Sequence, residues 1–168
     1  PAADAKRLVE RLADQPRHCG VVGEVEPGID VGLEREFAQQ LQAEGVERFR
    51  NAGVYHAVMA TDAERCRDED VIVVGGGNSA GQAATHLATR ARSVRVVVRG
   101  KALKSTMSHY LVNRIESSPR IEVMTETEVS AVHGSATVES VSLLDRRDGS
   151  IEQVDCSAVF VMIGADPC

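Results

Sequence analysis

Val71-Ile72-Val73-Val74-Gly75-Gly76-Gly77-Asn78-Ser79-Ala80 opens with branched apolar residues in a row and turns at once into glycine. A run without polar alternation suits a parallel strand covered on both faces. The residues that follow predict a helix from about Ser79 to Arg90 and a second branched strand over Val94–Val98. Strand, loop, helix and strand fall within about thirty residues, the context that separates a phosphate loop from a chance glycine cluster. In such a loop Gly75 permits the tight turn, Gly77 lets the backbone approach a pyrophosphate, and Ala80 keeps the helix close to the sheet. Gly76, Asn78 and Ser79 complete the candidate binding loop. An anion there meets the helix N-terminus, where unpaired N–H groups and the positive end of the dipole point at it.

The end of the second strand decides which dinucleotide fits. An acidic side chain at that place accepts hydrogen bonds from the adenosine ribose 2′-hydroxyl, but here the position holds Arg99. A guanidinium has no acceptor and donates two bonds to a 2′-phosphate. Lys101 and Lys104 add positive charge nearby. NADPH is therefore expected over NADH.

Outward from the loop, Ser108–Glu116 predicts a second helix and Ile121–Met124 a third strand, with Pro119 breaking the chain between them. That completes βαβαβ. Past residue 125 the alternation of Glu126–Val132, Val138–Leu144 and Ile151–Val154 predicts antiparallel strands, turned at His133-Gly134-Ser135 and Asp148-Gly149. Ala158–Ile163 returns as a buried strand. Upstream, Leu8, Val9 and Leu12 have helical spacing after Asp4 and before Pro16, and Leu33, Phe37 and Leu41 predict a helix that stops at Gly45. The expected fold class is α/β: a Rossmann-like βαβαβ parallel sheet with an antiparallel β-meander, preceded by a short helical segment. Residues 1–45 stand apart from a nucleotide-binding domain over 46–168.

Apolar residues make up 43% and charged residues 26%, the balance of a soluble globular protein. The longest apolar stretch, inside Ala158–Ile163, is far short of the roughly 20 residues that cross a bilayer. With no charged-then-apolar leader at residue 1, a cytoplasmic protein without a membrane partner is expected. A net charge of -6, with basic residues scattered among acidic ones, argues against nucleic acid as a partner. Cys19, Cys66, Cys156 and Cys168 lack the paired spacing of a zinc ribbon or a redox dithiol, and the histidines are isolated, so no metal site is expected. Ser108, His109 and Glu116 do not make a persuasive hydrolase triad, because Ser108 sits at a helix start where hydroxyls usually cap. No catalytic side chain is assigned.

Together with the closing Val159-Phe160-Val161-Met162-Ile163-Gly164-Ala165-Asp166-Pro167, the loop Gly75–Ala80 and Arg99 give the chain a resemblance to the thioredoxin reductase family of FAD-dependent pyridine-nucleotide oxidoreductases. In that family a GGGNSA-type loop, an arginine-bearing loop, a small antiparallel meander and a VFVxIGxxP return strand occur in this order. The resemblance implies an NADPH domain inserted within a FAD domain, Ile163 and Gly164 near the bound nucleotide, and hydride transfer from NADPH to the flavin. Three departures stand beside it. Val58-Met59-Ala60-Thr61 occupies the place of the family's Cys-Ala-Thr-Cys dithiol. The family's arginine pair appears as Arg99-Gly100, and a further family arginine corresponds to Lys104. Residues 1–70 show no second glycine fingerprint, although Gly28-Ile29-Asp30 resembles part of the family's FAD domain, so FAD is expected only with a complete flavin domain in cis or in trans.

Three readings follow. One is the NADPH-binding module of a thioredoxin-reductase-like flavoprotein, passing electrons to a non-dithiol acceptor while the cofactors carry the chemistry. A second is a non-catalytic nucleotide-binding or interaction domain. The third is a fragment of a flavin monooxygenase, since those enzymes also use a GGGNS-type loop. A homodimer is compatible with each.

Overall fold

A computed structural model describes residues 41–103 and 107–163. Eight strands occur there: β1 Val54–Tyr55, β2 Asp70–Val74, β3 Ser93–Val98, β4 Ile121–Thr125, β5 Thr127–Gly134, β6 Val138–Asp145, β7 Ile151–Asp155 and β8 Ala158–Val161. Helices are α1 Asp62–Arg65, α2 Asn78–Leu87 and α3 His109–Glu116. One sheet has the order β1-β8-β2-β3-β4 with every pair parallel, and β5-β6-β7 forms a separate antiparallel meander. The α/β class and the meander are those expected from the sequence.

Strand alternation sorts the central sheet's side chains into two cores. Val71, Val73, Val94, Val96 and Phe160 face α2 and α3, meeting Ala80, Ala83, Ala84, Leu87, Leu111 and Ile115. Ile72, Val74, Val97, Val159 and Val161 face the meander and meet Val129, Val141 and Leu143. Both faces of β2 are covered, which is why its sequence carries no polar alternation. The small residues of α2 let that helix lie close on the sheet.

Local departures from the sequence reading have physical causes. The expected helix ending at Gly45 lies mostly outside the described residues, and Leu41–Glu44 is not helical. Leu41 is buried in the core under the meander, and Glu44 pairs with Ala131. The Glu44 N–H donates to the Ser130 carbonyl (3.0 Å) and its own carbonyl accepts from the Val132 N–H (2.7 Å). An edge of the meander thus satisfies the backbone groups that a helix would have paired. Helix α2 stops at Leu87 rather than Arg90, because the N–H groups of Thr89 and Arg90 bond to carbonyls three residues back, a tightened final turn. Strand β8 ends at Val161, after which the Met162 N–H still donates to the Val74 carbonyl (2.8 Å). No helix among the described residues is long and apolar enough to cross a membrane.

Asp70 fastens the start of β2 to that of β3. Arg92 Nε (3.0 Å) and the Ser93 hydroxyl (2.7 Å) donate to its Oδ1, and Arg92 forms an ion pair with it. The hydrogen bond from Arg92 and then that from Ser93 hold the Asp70 carboxyl below its ordinary value. A depressed carboxylate contributes stability that is present above the unfolded-state pKa of about 4 and is lost as pH falls through the folded value. Asp70→Asn is expected to cost about 0.5–1 kcal/mol at pH 7, allowing for solvent screening of a partly exposed pair. In urea titrations the gap between variant and unaltered protein should close in strong acid; a gap independent of pH would refute this role.

Candidate nucleotide-binding site

β2 is the middle strand of the parallel sheet, and its C-terminal end runs through Gly75-Gly76-Gly77 into α2. Gly75 has φ +142, and its N–H donates to the Val97 carbonyl on β3 (3.0 Å). A Cβ on Gly75 would lie 2.6 Å from the Met162 carbonyl oxygen and 3.2 Å from the Ala80 Cβ. Ala80 itself is fully buried. The first glycine and Ala80 therefore let loop, helix and return strand close on one another.

Gly77 is different in kind. It stands at the N-cap of α2 with φ -88 and ψ -178, ordinary extended backbone, and an added Cβ would meet nothing within 4 Å. The fold does not need glycine there. What its absent side chain leaves open is the space at the N-terminus of α2, whose first turn contains no acidic residue. The first helical bond runs from the Gly81 N–H to the Gly77 carbonyl (3.1 Å), so the amides of the preceding turn precede the hydrogen-bonded ladder. Gly76 is half-buried, and Asn78 and Ser79 are exposed at the helix start.

Register places the other expected residues. Val74 pairs with Val97 on β3 and with Val161 on β8, so Arg99 and Ile163 both lie two residues further along, at the sheet's C-terminal edge. Ligands of open α/β sheets bind at that edge. Arg99 is exposed, its carbonyl accepts from Arg146 Nη1 (3.4 Å), and its guanidinium enters no ion pair among the described residues. Lys101 is exposed; Ile163 is half-buried against the meander-side core. Lys104 and Gly164 lie outside the described residues.

Ser108 takes the N-cap position of α3, but its hydroxyl makes no capping bond, contrary to the sequence expectation. The Ser108 N–H instead donates to Asn78 Oδ1 (2.8 Å). The carboxamide of the glycine loop is thus turned toward α3. Gly81 went unremarked in the sequence. A Cβ on it would come within 2.8 Å of Met107 Sδ and 3.2 Å of Leu111 Cδ1, so glycine makes room for the start of α3. A helical glycine costs about 1 kcal/mol against alanine, and that cost was the available signal. Between α2 and α3 runs a cleft of about 450 Å³ lined by Asn78, Gln82, His86, Ser108, Tyr110 and Arg114.

No thiol stands in the segment matching the dithiol. Val58 is half-buried against the helix-side core, Met59 is exposed, and the Met59 N–H donates to Asp62 Oδ2 (2.7 Å). Cys66 is buried, and burial pushes the Cys156 thiol up to about 12, so Cys156 is not held as a thiolate. Cys19 and Cys168 lie outside the described residues.

A parallel sheet with a glycine loop on its middle strand, helices over one face and a meander over the other defines a Rossmann-like α/β domain. The family model of pyridine nucleotide-disulphide oxidoreductases matches residues 37–167, and the chain belongs to that family. It is 36% identical to the thioredoxin reductase of Mycolicibacterium smegmatis over 131 residues, 77% of this chain and 41% of the relative. It is 39% identical to the ferredoxin–NADP reductase of Frankia alni over 97 residues, 58% of this chain and 29% of the relative. The crystal structure of Lactococcus lactis thioredoxin reductase superposes with a TM-score of 0.70 at 22% identity, covering 76% of this chain and 42% of that one, a likeness of fold alone. The chain spans less than half the length of each of these relatives.

Proposed function

We propose that the chain is the NADPH-binding module of a thioredoxin-reductase-like flavoprotein oxidoreductase. The observation that carries this reading is the pairing of two features at one sheet edge: the open space that Gly77 leaves at the N-terminus of α2, and the exposed Arg99 guanidinium without an ion-pair partner among the described residues. The residues present fit the nucleotide. The amides at the start of α2 suit the pyrophosphate, Arg99 with Lys101 and Lys104 the 2′-phosphate, and Ile163-Gly164 a place beside it. When bound, NADPH supplies a hydride and a flavin receives it. The chain's own residues bind and orient the donor, and the module is taken to span 46–168 in a cytoplasmic protein.

A flavin domain, in cis or in trans, completes the electron path. The acceptor beyond it is one reached without a dithiol in this chain, since Val58-Met59-Ala60-Thr61 holds no thiol. A relative named for ferredoxin and NADP supports such an acceptor.

Calorimetric titration with NADPH and then NADH tests the reading. Arg99→Ala is expected to weaken NADPH about ten-fold or more, the value of one charge-assisted contact, and to leave NADH unchanged. Equal affinity of the unaltered protein for both nucleotides would sink the role of Arg99. Absence of binding by either would sink the loop assignment.

A further inference from the structure

We infer that Arg146, which opens the turn between β6 and β7, is a second specificity-determining residue for the 2′-phosphate, reaching it from the meander while Arg99 reaches it from the end of β3; this rests on the NADPH reading above. A phosphate monoester carries about -1.5 to -2 charges near pH 7, so a single guanidinium leaves part of that charge unmatched. The residue after Arg99 adds nothing, because it is Gly100. The fold does not require glycine there. An added Cβ would lie 3.9 Å from Val98 Cγ1, an ordinary contact, and would meet nothing else within 4 Å among the described residues. The space beside Arg99 is open to a side chain from elsewhere.

A ring of hydrogen bonds brings Arg146 to that place. Val98 pairs with Thr125, so Arg99 and Glu126 follow side by side past the ends of β3 and β4. Glu126, the single residue between β4 and β5, turns the chain at φ +52. Its N–H donates to the Gly100 carbonyl (3.0 Å), and its carbonyl accepts from the Arg146 N–H (2.7 Å). Arg146 Nη1 closes the ring by donating to the Arg99 carbonyl (3.4 Å). That bond occupies one of five guanidinium N–H groups, and the Arg146 side chain stays 52% exposed. Val97 packs in the meander-side core and Val98 in the helix-side core, so the alternation carried one residue past β3 puts Arg99 on the meander's side, with Arg146. The neighbouring acids have other commitments. Asp145 is bound to Arg147, whose guanidinium also feels the charges of Glu126 and Asp148. Glu128 approaches Arg146 at Nε, at 3.9 Å.

NADH has no 2′-phosphate, so the two nucleotides separate this role from a structural one. Arg146→Ala should weaken NADPH about ten-fold, the value of one charge-assisted contact, and leave NADH within about two-fold. Arg146→Gln keeps a donor for the Arg99 carbonyl without the charge and should fall with Arg146→Ala. In an Arg99→Ala background, Arg146→Ala should weaken NADPH further, whereas a residue that acts only by holding Arg99 would have no guanidinium left to hold. Calorimetry of these variants with NADPH and with NADH is the experiment, and urea titration confirms folding. Should Arg146→Ala fail to fold, Arg146→Gln carries the test. An equal fall for both nucleotides, an Arg146→Gln protein that binds NADPH like the unaltered one, or no further loss in the double variant would each overturn the inference. Two levels can fail separately. If Arg99→Ala removes a preference for NADPH that Arg146→Ala does not move, only the role of Arg146 fails; equal binding of both nucleotides by the unaltered protein sinks the NADPH reading first.

Discussion

Gly75→Ala is expected to lower the stability of the domain by about 2–5 kcal/mol, and Gly77→Ala by only about 0.5–1 kcal/mol, the ordinary cost of alanine at an N-cap. The two glycines are near neighbours with opposite physical reasons. At φ +142 the backbone of Gly75 is in a region that side chains rarely adopt, and the added Cβ would sit 2.6 Å from the Met162 carbonyl oxygen. That oxygen belongs to main chain leaving β8, so relief requires β2 and β8 to separate rather than one rotamer to change. Strain of this kind costs about 1–3 kcal/mol and overpacking a similar amount. Gly77 has allowed dihedrals and empty space around it. Its alanine variant should stay folded yet lose nucleotide affinity, because the methyl enters the space at the helix start. Urea midpoints and NADPH titration of the two variants separate architecture from binding. A Gly75→Ala protein as stable as the unaltered chain would refute the close approach of loop and return strand, and full NADPH affinity in Gly77→Ala would refute the phosphate loop.

The branched runs Val71–Val74 and Ala158–Val161 were legible in the sequence because strands covered on both faces leave no polar alternation to blur them; Val94–Val98 was legible despite Arg95, which is half-buried and pairs with Glu122 (3.1 Å). The meander was legible for the opposite reason. Its strands have one covered face, so Val129, Val132 and Leu143 each stand between exposed or half-buried neighbours. The sheet order could not be read, since β1 is only Val54–Tyr55 and carries no period, although it pairs with β8 and sets the sheet's edge. Nor could the path of Leu41–Glu44, which is not helical. Leu41 keeps the spacing of a helix, but burial against the meander and the pairing of Glu44 with β5 take its backbone elsewhere. At the candidate site, the glycine loop and Arg99 announce themselves by residue type. Gly81 and the Asn78–Ser108 bond do not, because their meaning depends on where α3 lies, a fact set by packing across thirty residues.

Phe160→Ala should cost about 3–5 kcal/mol, the range for deleting a buried phenyl ring. Phe160 is fully buried on β8, paired in register with Tyr55 on β1 and Val73 on β2, and its ring lies 5.4 Å from that of Tyr55. No neighbouring side chain can refill the space without leaving its own place, because the strands on either side are fixed by backbone ladders. The loss falls on the one strand that joins β1 to β2 and then continues into Met162 and Ile163 beside the glycine loop. Ile151→Ala offers the contrast. That side chain is 65% exposed on β7, and its removal should change stability by no more than about 0.5 kcal/mol. Chemical denaturation of the two variants checks both values. A Phe160→Ala midpoint within about 1 kcal/mol of the unaltered protein would mean that β8 does not carry the centre of the sheet. The register that sets Ile163 at the C-terminal edge of the sheet would then need revision as well.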